Sequence, residues 1–498
     1  MRTGALVALV PALLAAVAAG TTPGAPAAVR QSTTLSPTLA TADAASINAL
    51  VYQKLVPLDR ARAGWTGNTD TCDAGTISPR ALADALDAVN TYRAIVDLEP
   101  VTFDTTLSEK AQAAALIMAS QRQLSHFPPT TWSCWSQAGY EGASRSLLHL
   151  GSSGIGQRSF MDDYGANNTE AGHRRWLLDP AADVFGFGAT DRSSALYTSG
   201  SDTVPADVFP DWTAWPPPGN VPAWLEPQGR WSLHSNDFTT DFDNAKVSVV
   251  GPGGPMTVVQ EPEWDCCGTN GVVWDISGLP SPEDIVQPLR YHVTVTGAAD
   301  DSGAPLGPVD YDVTLLPYPP LQVTQATTVA GTPRSGEVLT VTVGAWSPRA
   351  TTKIEWLRDG KAIPGARQKS YRLQVADEGS MVSVRVTGSR GYFSATPVEA
   401  SLGSRITPGR LALLRSPVLR RDSLRPRYLV VGGSRFNLRP SSLRYIWSRN
   451  GVVIATTSGH RLQVRGKYPP GRFRVVVSAR LTEHGRVDAA SNAVRMLF

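Results

Sequence analysis

Two of the seven histidines, His126 and His173, sit in local contexts that could do chemistry. Pro128 and Pro129 follow His126 almost at once, and they force the chain out of helix beyond the imidazole. His126 is therefore expected to close a helix predicted over residues 107–124. His173 lies in Gly172-His173-Arg174-Arg175-Trp176-Leu177, which reads as a short helix carrying Trp176 and Leu177 on the face of the imidazole. Helix ends commonly border clefts, and a neutral imidazole there can act as base or metal ligand. The other five histidines fall in no constellation. No His-Glu-x-x-His spacing supplies a helix-borne zinc pair, and no Gly-x-Ser-x-Gly elbow supplies a nucleophile, although Ser125 or Ser144 could stand in a Ser-His-acid arrangement.

Sustained helical periodicity, which the two imidazoles need to converge, is confined to residues 46–190. Ser78 is a fitting N-cap and Pro79 a fitting first helical residue, since its missing N–H costs nothing there. Leu82, Leu86, Val89 and Tyr92 or Arg93 then give one apolar face. The second helix carries a stripe of small residues, Leu107, Ala111, Ala114, Ala115 and Met118, that permits close approach of another element. From about residue 204 the grammar changes to short alternating runs between Pro and Gly, which predict β-sandwiches. The stretch at 211–219, with Trp212, Trp215 and three prolines in a row, is expected to be a stiff linker or ordered crossing rather than a ligand platform.

The last third contains an internal repeat. Trp356, Gly360 and Ile363 recur as Trp447, Gly451 and Ile454, and Arg372-Leu373-Gln374-Val375 recurs as Arg461-Leu462-Gln463-Val464. Each copy places Asp-Gly or Asn-Gly at a tight hairpin after a Trp strand, so two tandem immunoglobulin-like modules are expected. The first copy resembles the immunoglobulin-like repeats of bacterial surface and secreted proteins, which implies a spacer or adhesive role.

The order Asn90-x-x-Arg93, Leu124-Ser125-His126, Gly172-His173-Arg174 and Val184-Phe185-Gly186-Phe187-Gly188 resembles the CAP superfamily, the cysteine-rich secretory, antigen 5 and pathogenesis-related proteins. The resemblance covers about 150 residues. It implies an α-β-α sandwich whose central cleft gathers two histidines and two acids, sometimes around a divalent metal. His126 and His173 match the histidine positions. The first acid maps either to Glu141 or, in a second alignment, to Ser146, where the acid is absent; the second acid maps to Asp163. Two imidazoles and one carboxylate would suit Zn²⁺ with an open fourth position. The family includes lipid carriers and signalling proteins besides disputed proteases, so membership does not imply catalysis.

Residues 4–20 form an apolar run behind Arg2 and lead into small residues, which predicts a secretory signal peptide over 1–28 and no later membrane span. The composition, 39 Arg against seven Lys with abundant Ala, Gly and Pro, is that of a GC-rich bacterial gene. Outside the cell Cys72 and Cys134 are expected to pair, closing a loop of about 60 residues that stabilises by several kcal/mol in the chain-entropy account. Cys266 and Cys267 are then left for a vicinal bridge. The formal charge of +3 hides an asymmetry: residues 403–498 hold 18 Arg and one Lys against three acids, a local +16, leaving −13 on the first 402 residues.

The expected architecture is thus multidomain: a CAP-like α-β-α head at 40–195, a Trp-rich β-sandwich at 204–318, and immunoglobulin-like modules at 319–402 and 403–498, the last one basic. The expected function is extracellular binding of a lipid or cell-wall ligand in a cleft holding His126, His173, Glu141 and Asp163, with the basic module attracting an anionic surface polymer. A metal-dependent hydrolase using the two histidines, and an adhesion protein with a non-catalytic head, are the alternatives.

Overall fold

The computed structural model describes residues 32–59, 61–151, 155, 157–262 and 268–497. The expected signal peptide, and Cys266 and Cys267, lie outside the described residues. The chain divides into two compact units, residues 1–316 and 317–498. No helix among the described residues is long and apolar enough to cross a membrane.

In the first unit helices surround a four-stranded sheet in the order Thr102–Phe103, Ala182–Ala189, Ser193–Asp202, Ser146–Leu150. The Pro79–Ile95 helix starts where the sequence places it, with the Ser78 side chain accepting the Ala81 N–H. Its buried face differs from the expected one. Ala81, Ala85, Ala88, Val89 and Tyr92 are buried, while Leu82 and Leu86 are only half-buried, because close packing selects the small residues one position away. The next helix runs Thr105–Gln121 and buries the expected stripe of Ala111, Ala114, Ala115 and Met118. It ends at Arg122 in the left-handed region, so His126 lies in the loop beyond the helix instead of closing it. Cys72 and Cys134 form a disulfide.

The Thr105–Gln121 helix lies against Ala182–Ala189 at backbone distance. A Cβ on Gly188 would fall 2.2 Å from the Gln112 nitrogen, and one on Gly186 would fall 2.4 Å from the Leu107 carbonyl carbon. The alternating glycines of Val184-Phe185-Gly186-Phe187-Gly188 therefore serve helix-on-sheet contact. Asn90 and Arg93 are also structural. Asn90 exchanges two hydrogen bonds with the Val101 backbone, and the buried Arg93 guanidinium donates to the carbonyls of Glu99, Leu177, Asp179 and Ala182. Burial pulls the Arg93 pKa down to about 10.

A β-sandwich completes this unit. One sheet is built on Val309–Leu316, Leu289–Thr296 and Lys246–Gly251, the other on Thr257–Gln260, Gly271–Ser277, Arg230–Ser235 and Trp212–Trp215. Trp215, Trp224, Trp231 and Trp274 are fully buried in it. Thr33–Thr34 pairs in parallel with Val309–Leu316, so chain from before the helices contributes to the sheet that follows them. The stretch at 211–219 is no linker: Trp212–Trp215 is an edge strand in register with Arg230–Ser235.

The second unit contains both repeats. Trp356 and Trp447 are each completely buried at the centre of a module. Asp359-Gly360 and Asn450-Gly451 all have positive φ, as the two-residue hairpins anticipated from the sequence require.

Candidate functional site

A cleft of about 420 Å³ opens on the helical half of the first unit. Its floor is the start of the Ser146–Leu150 strand, with Thr198 and Ser199 of the neighbouring strand beside it. His126 and Ser125 line it from the loop after the Thr105–Gln121 helix, and His173 and Trp176 from the Gly172–Leu177 helix. Two histidines 47 positions apart in sequence are thus brought to one cavity.

Each imidazole is held through Nδ1. His126 Nδ1 lies 2.9 Å from the Ala143 carbonyl oxygen, which can only accept, so Nδ1 is the donor of this bond. His173 Nδ1 lies 2.8 Å from Asp163 Oδ1. Asp163 is completely buried, and its Oδ2 accepts the backbone N–H groups of His173 and Arg174. Asp163 and Ala171 both sit in the left-handed region, at φ 46° and 49°. Such strain in non-glycine residues concentrates where surrounding structure fixes a site.

The two acids expected in the cleft stand elsewhere. Glu141 is not part of the lining; its carboxylate pairs with Lys110 at 2.9 Å and accepts from Gln137 on an outer face. Ser146 occupies the floor instead, and its buried hydroxyl finds no hydrogen-bond partner among the described residues. Asp163 stands behind His173, its oxygens taken up by N–H groups. Neither Ser125 nor Ser144 is bonded to a histidine: Ser125 Oγ accepts from the Phe127 N–H, and Ser144 donates to the Glu141 carbonyl. Zinc in a protein site takes three or four donors. Among the described residues no group of three or more His, Cys, Asp or Glu side chains could hold a metal ion, so the donor set expected from the resemblance is not assembled.

Several cleft features carry no signal in the sequence. Glu170 and Asn168 line it. His149 lies edge-on to Phe160 at 6.5 Å, and Phe160 in turn lies 5.4 Å from His173. Burial, and then the His173 charge, lower the His149 pKa. The arginines beside His173 face away from the cleft. Arg174 donates to the carbonyls of Met161 and Asp162 and to Ser232 Oγ of the sandwich, and Arg175 donates twice to Thr269 O. From the sandwich side, Arg230 donates to the carbonyls of Asp163, Gly165 and Asn168 while Asp275 neutralises it. The β-sandwich therefore fixes the loop that carries Asp163 and Asn168.

Residues 86–201 match the family described as CAP, the cysteine-rich secretory protein family, and this part of the chain is a CAP domain. No curated protein matches the chain. Among solved structures, similar chains include an extracellular SCP-domain protein from Bacillus anthracis str. Ames, 18% identical over 24% of this chain and 43% of that one, TM-score 0.19. An ice-binding Ca²⁺-stabilised adhesin of an Antarctic bacterium is 12% identical over 55% of this chain and 70% of its own, TM-score 0.19. Domains A168–A170 of titin are 11% identical over 54% and 93%, TM-score 0.18.

Proposed function

We propose that this is a secreted bacterial CAP-domain protein that binds a cell-wall ligand in the cleft between His126 and His173. The observation that carries the reading is the pair of imidazoles, each anchored through Nδ1 and so presenting Nε2 to one cavity as a fixed hydrogen-bonding atom. The lining sets hydroxyl, amide and imidazole groups, with Arg145 and Glu170, beside the apolar faces of Leu124, Leu147, Leu148 and Trp176, the mixture usual for a site that fixes a polar ligand's orientation. The polar groups match the hydroxyls and amides of a wall fragment. The test is titration calorimetry of the purified protein with soluble peptidoglycan fragments and, separately, with phospholipid vesicles. Binding of the fragments, weakened at least about tenfold in His173→Ala, supports the reading; binding of vesicles alone, or no effect of His173→Ala, defeats it.

The basic module serves as the tether. Arg472, Arg474 and Arg480 are exposed on the Gly471–Leu481 strand, alternating with buried Phe473, Val475, Val477 and Ala479. A field of one sign on an open sheet face attracts anionic polymers and weakens with salt. Retention of the full chain on isolated walls should therefore fall steeply with salt.

Hydrolysis is the second reading, and the Asp163–His173 pair favours it. A buried carboxylate that accepts Nδ1–H orients an imidazole as a general base in acyl transfer. New chain ends released from the same fragments by the wild type, and not by a His126→Ala/His173→Ala double variant, would establish it.

A further inference from the structure

A second cavity, unrelated to the histidines, lies on the β-sandwich of the first unit. It is a groove of about 650 Å³, larger than the cleft and within the range of about 300–1,000 Å³ usual for ligand sites. Its lining joins three aromatic rings, Phe209, Trp212 and Phe238, to Asp211, Asn236 and Asp237. Phe238 is 48% exposed, so its ring is open to a ligand in the groove.

The groove is rigid where it matters. Trp212 is paired in register with Ser235, and its ring meets Phe242 edge-on at 6.1 Å and 88°. Asn236 is buried and donates to Pro210 O and Thr213 Oγ1, while its own N–H goes to Asp211 O. Asp237 uses one oxygen, Oδ1, to accept the Thr239 N–H and hydroxyl, and these bonds hold its carboxyl below the usual range. Its other oxygen, the Asp211 carboxylate and the Trp212 indole N–H have no hydrogen-bond partner among the described residues. Acceptors, a donor and apolar faces thus stand together around one cavity.

Among the described residues no Lys, Arg or His lines this groove, so no cationic side chain there would pair with a phosphate or carboxylate. Aromatic faces match the C–H faces of a sugar ring, and free carboxylate oxygens accept paired hydroxyl donors. We propose that this groove is a binding site for an uncharged oligosaccharide, separate from the CAP cleft and from the basic tether. The segment that looked like a stiff linker then supplies the platform, with Asp211 and Trp212 at its start.

The experiment is calorimetry of the full chain with a set of soluble neutral oligosaccharides: chito-, cello-, xylo- and manno-tetraose. Binding of at least one is expected, weakened about tenfold or more in Phe238→Ala and Asp211→Asn, both at exposed positions that leave the fold intact. Trp212→Phe should retain most of the affinity, and His173→Ala all of it. The proposal falls if none of the set binds at millimolar concentration, if Phe238→Ala and Asp211→Asn bind as tightly as the wild type, or if His173→Ala abolishes binding, which would place the sugar in the cleft.

Discussion

Asp163 and Asp162 are adjacent and do different work. Asp163 accepts three N–H groups and fixes the ring of His173. Asp163→Asn keeps the shape but puts an NH₂ where an acceptor is needed. It should cost about 2 kcal/mol, read from denaturant midpoints, and weaken fragment binding in the cleft as His173→Ala does. Asp162 is half-buried, and desolvation pushes its carboxyl up to about 6 from 3.8, despite Arg158 at 3.2 Å. The folded chain therefore holds this proton more tightly than the unfolded one. Its contribution to stability is complete below about pH 4 and is lost as pH rises through about 6. Melting of wild type and Asp162→Asn between pH 4 and pH 7 should show the variant gaining up to about 3 kcal/mol on the wild type as pH rises; a pH-independent difference would refute the assignment.

At the scale of elements, helix starts were legible and buried faces less so. The Ser78 hydroxyl accepts the nearby Ala81 N–H and Pro79 sets its own φ, so the N-terminus of Pro79–Ile95 follows from local chemistry. Which stripe of that helix goes inward depends on what packs against it, and that neighbour arrives from far along the chain. The same holds for the glycines of Ala182–Ala189, whose purpose shows only once the Thr105–Gln121 helix is laid on them. Gly188→Ala should cost about 3 kcal/mol by forcing helix and sheet apart, measured as a fall in thermal midpoint with the CAP cleft ligand absent. Asp359-Gly360 and Asn450-Gly451 are the opposite case, since two-residue turns with positive φ are specified by the dipeptide itself.

For the whole molecule, the division into two compact units differs from a simple string of four modules. The Thr33–Thr34 strand and the arginines Arg174, Arg175 and Arg230 weld the sandwich to the CAP domain. In the second unit the two immunoglobulin-like modules are joined by His484. Its buried ring lies 2.7 Å from Gly409 O through Nδ1 and 3.5 Å from the Glu378 carboxylate through Nε2, and Glu378 also accepts from Ser335. His484→Ala leaves the Gly409 carbonyl unpaired and should cost about 2 kcal/mol. In calorimetry the modules should then melt as two transitions where the wild type shows one; a single unshifted transition would refute the coupling.

The sequence by itself determined the helix cap, the hairpins, the paired Cys72 and Cys134, the polarity of charge and the two histidines that line one cleft. All of these are written in residue type and short spacing. Only the tertiary structure decided that Glu141 turns outward to Lys110, that Ser146 takes the cleft floor, that Asp163 backs His173, and that Trp212 belongs to a sheet edge beside a groove. A side chain's direction is set by partners dozens or hundreds of residues away, and no local pattern records them.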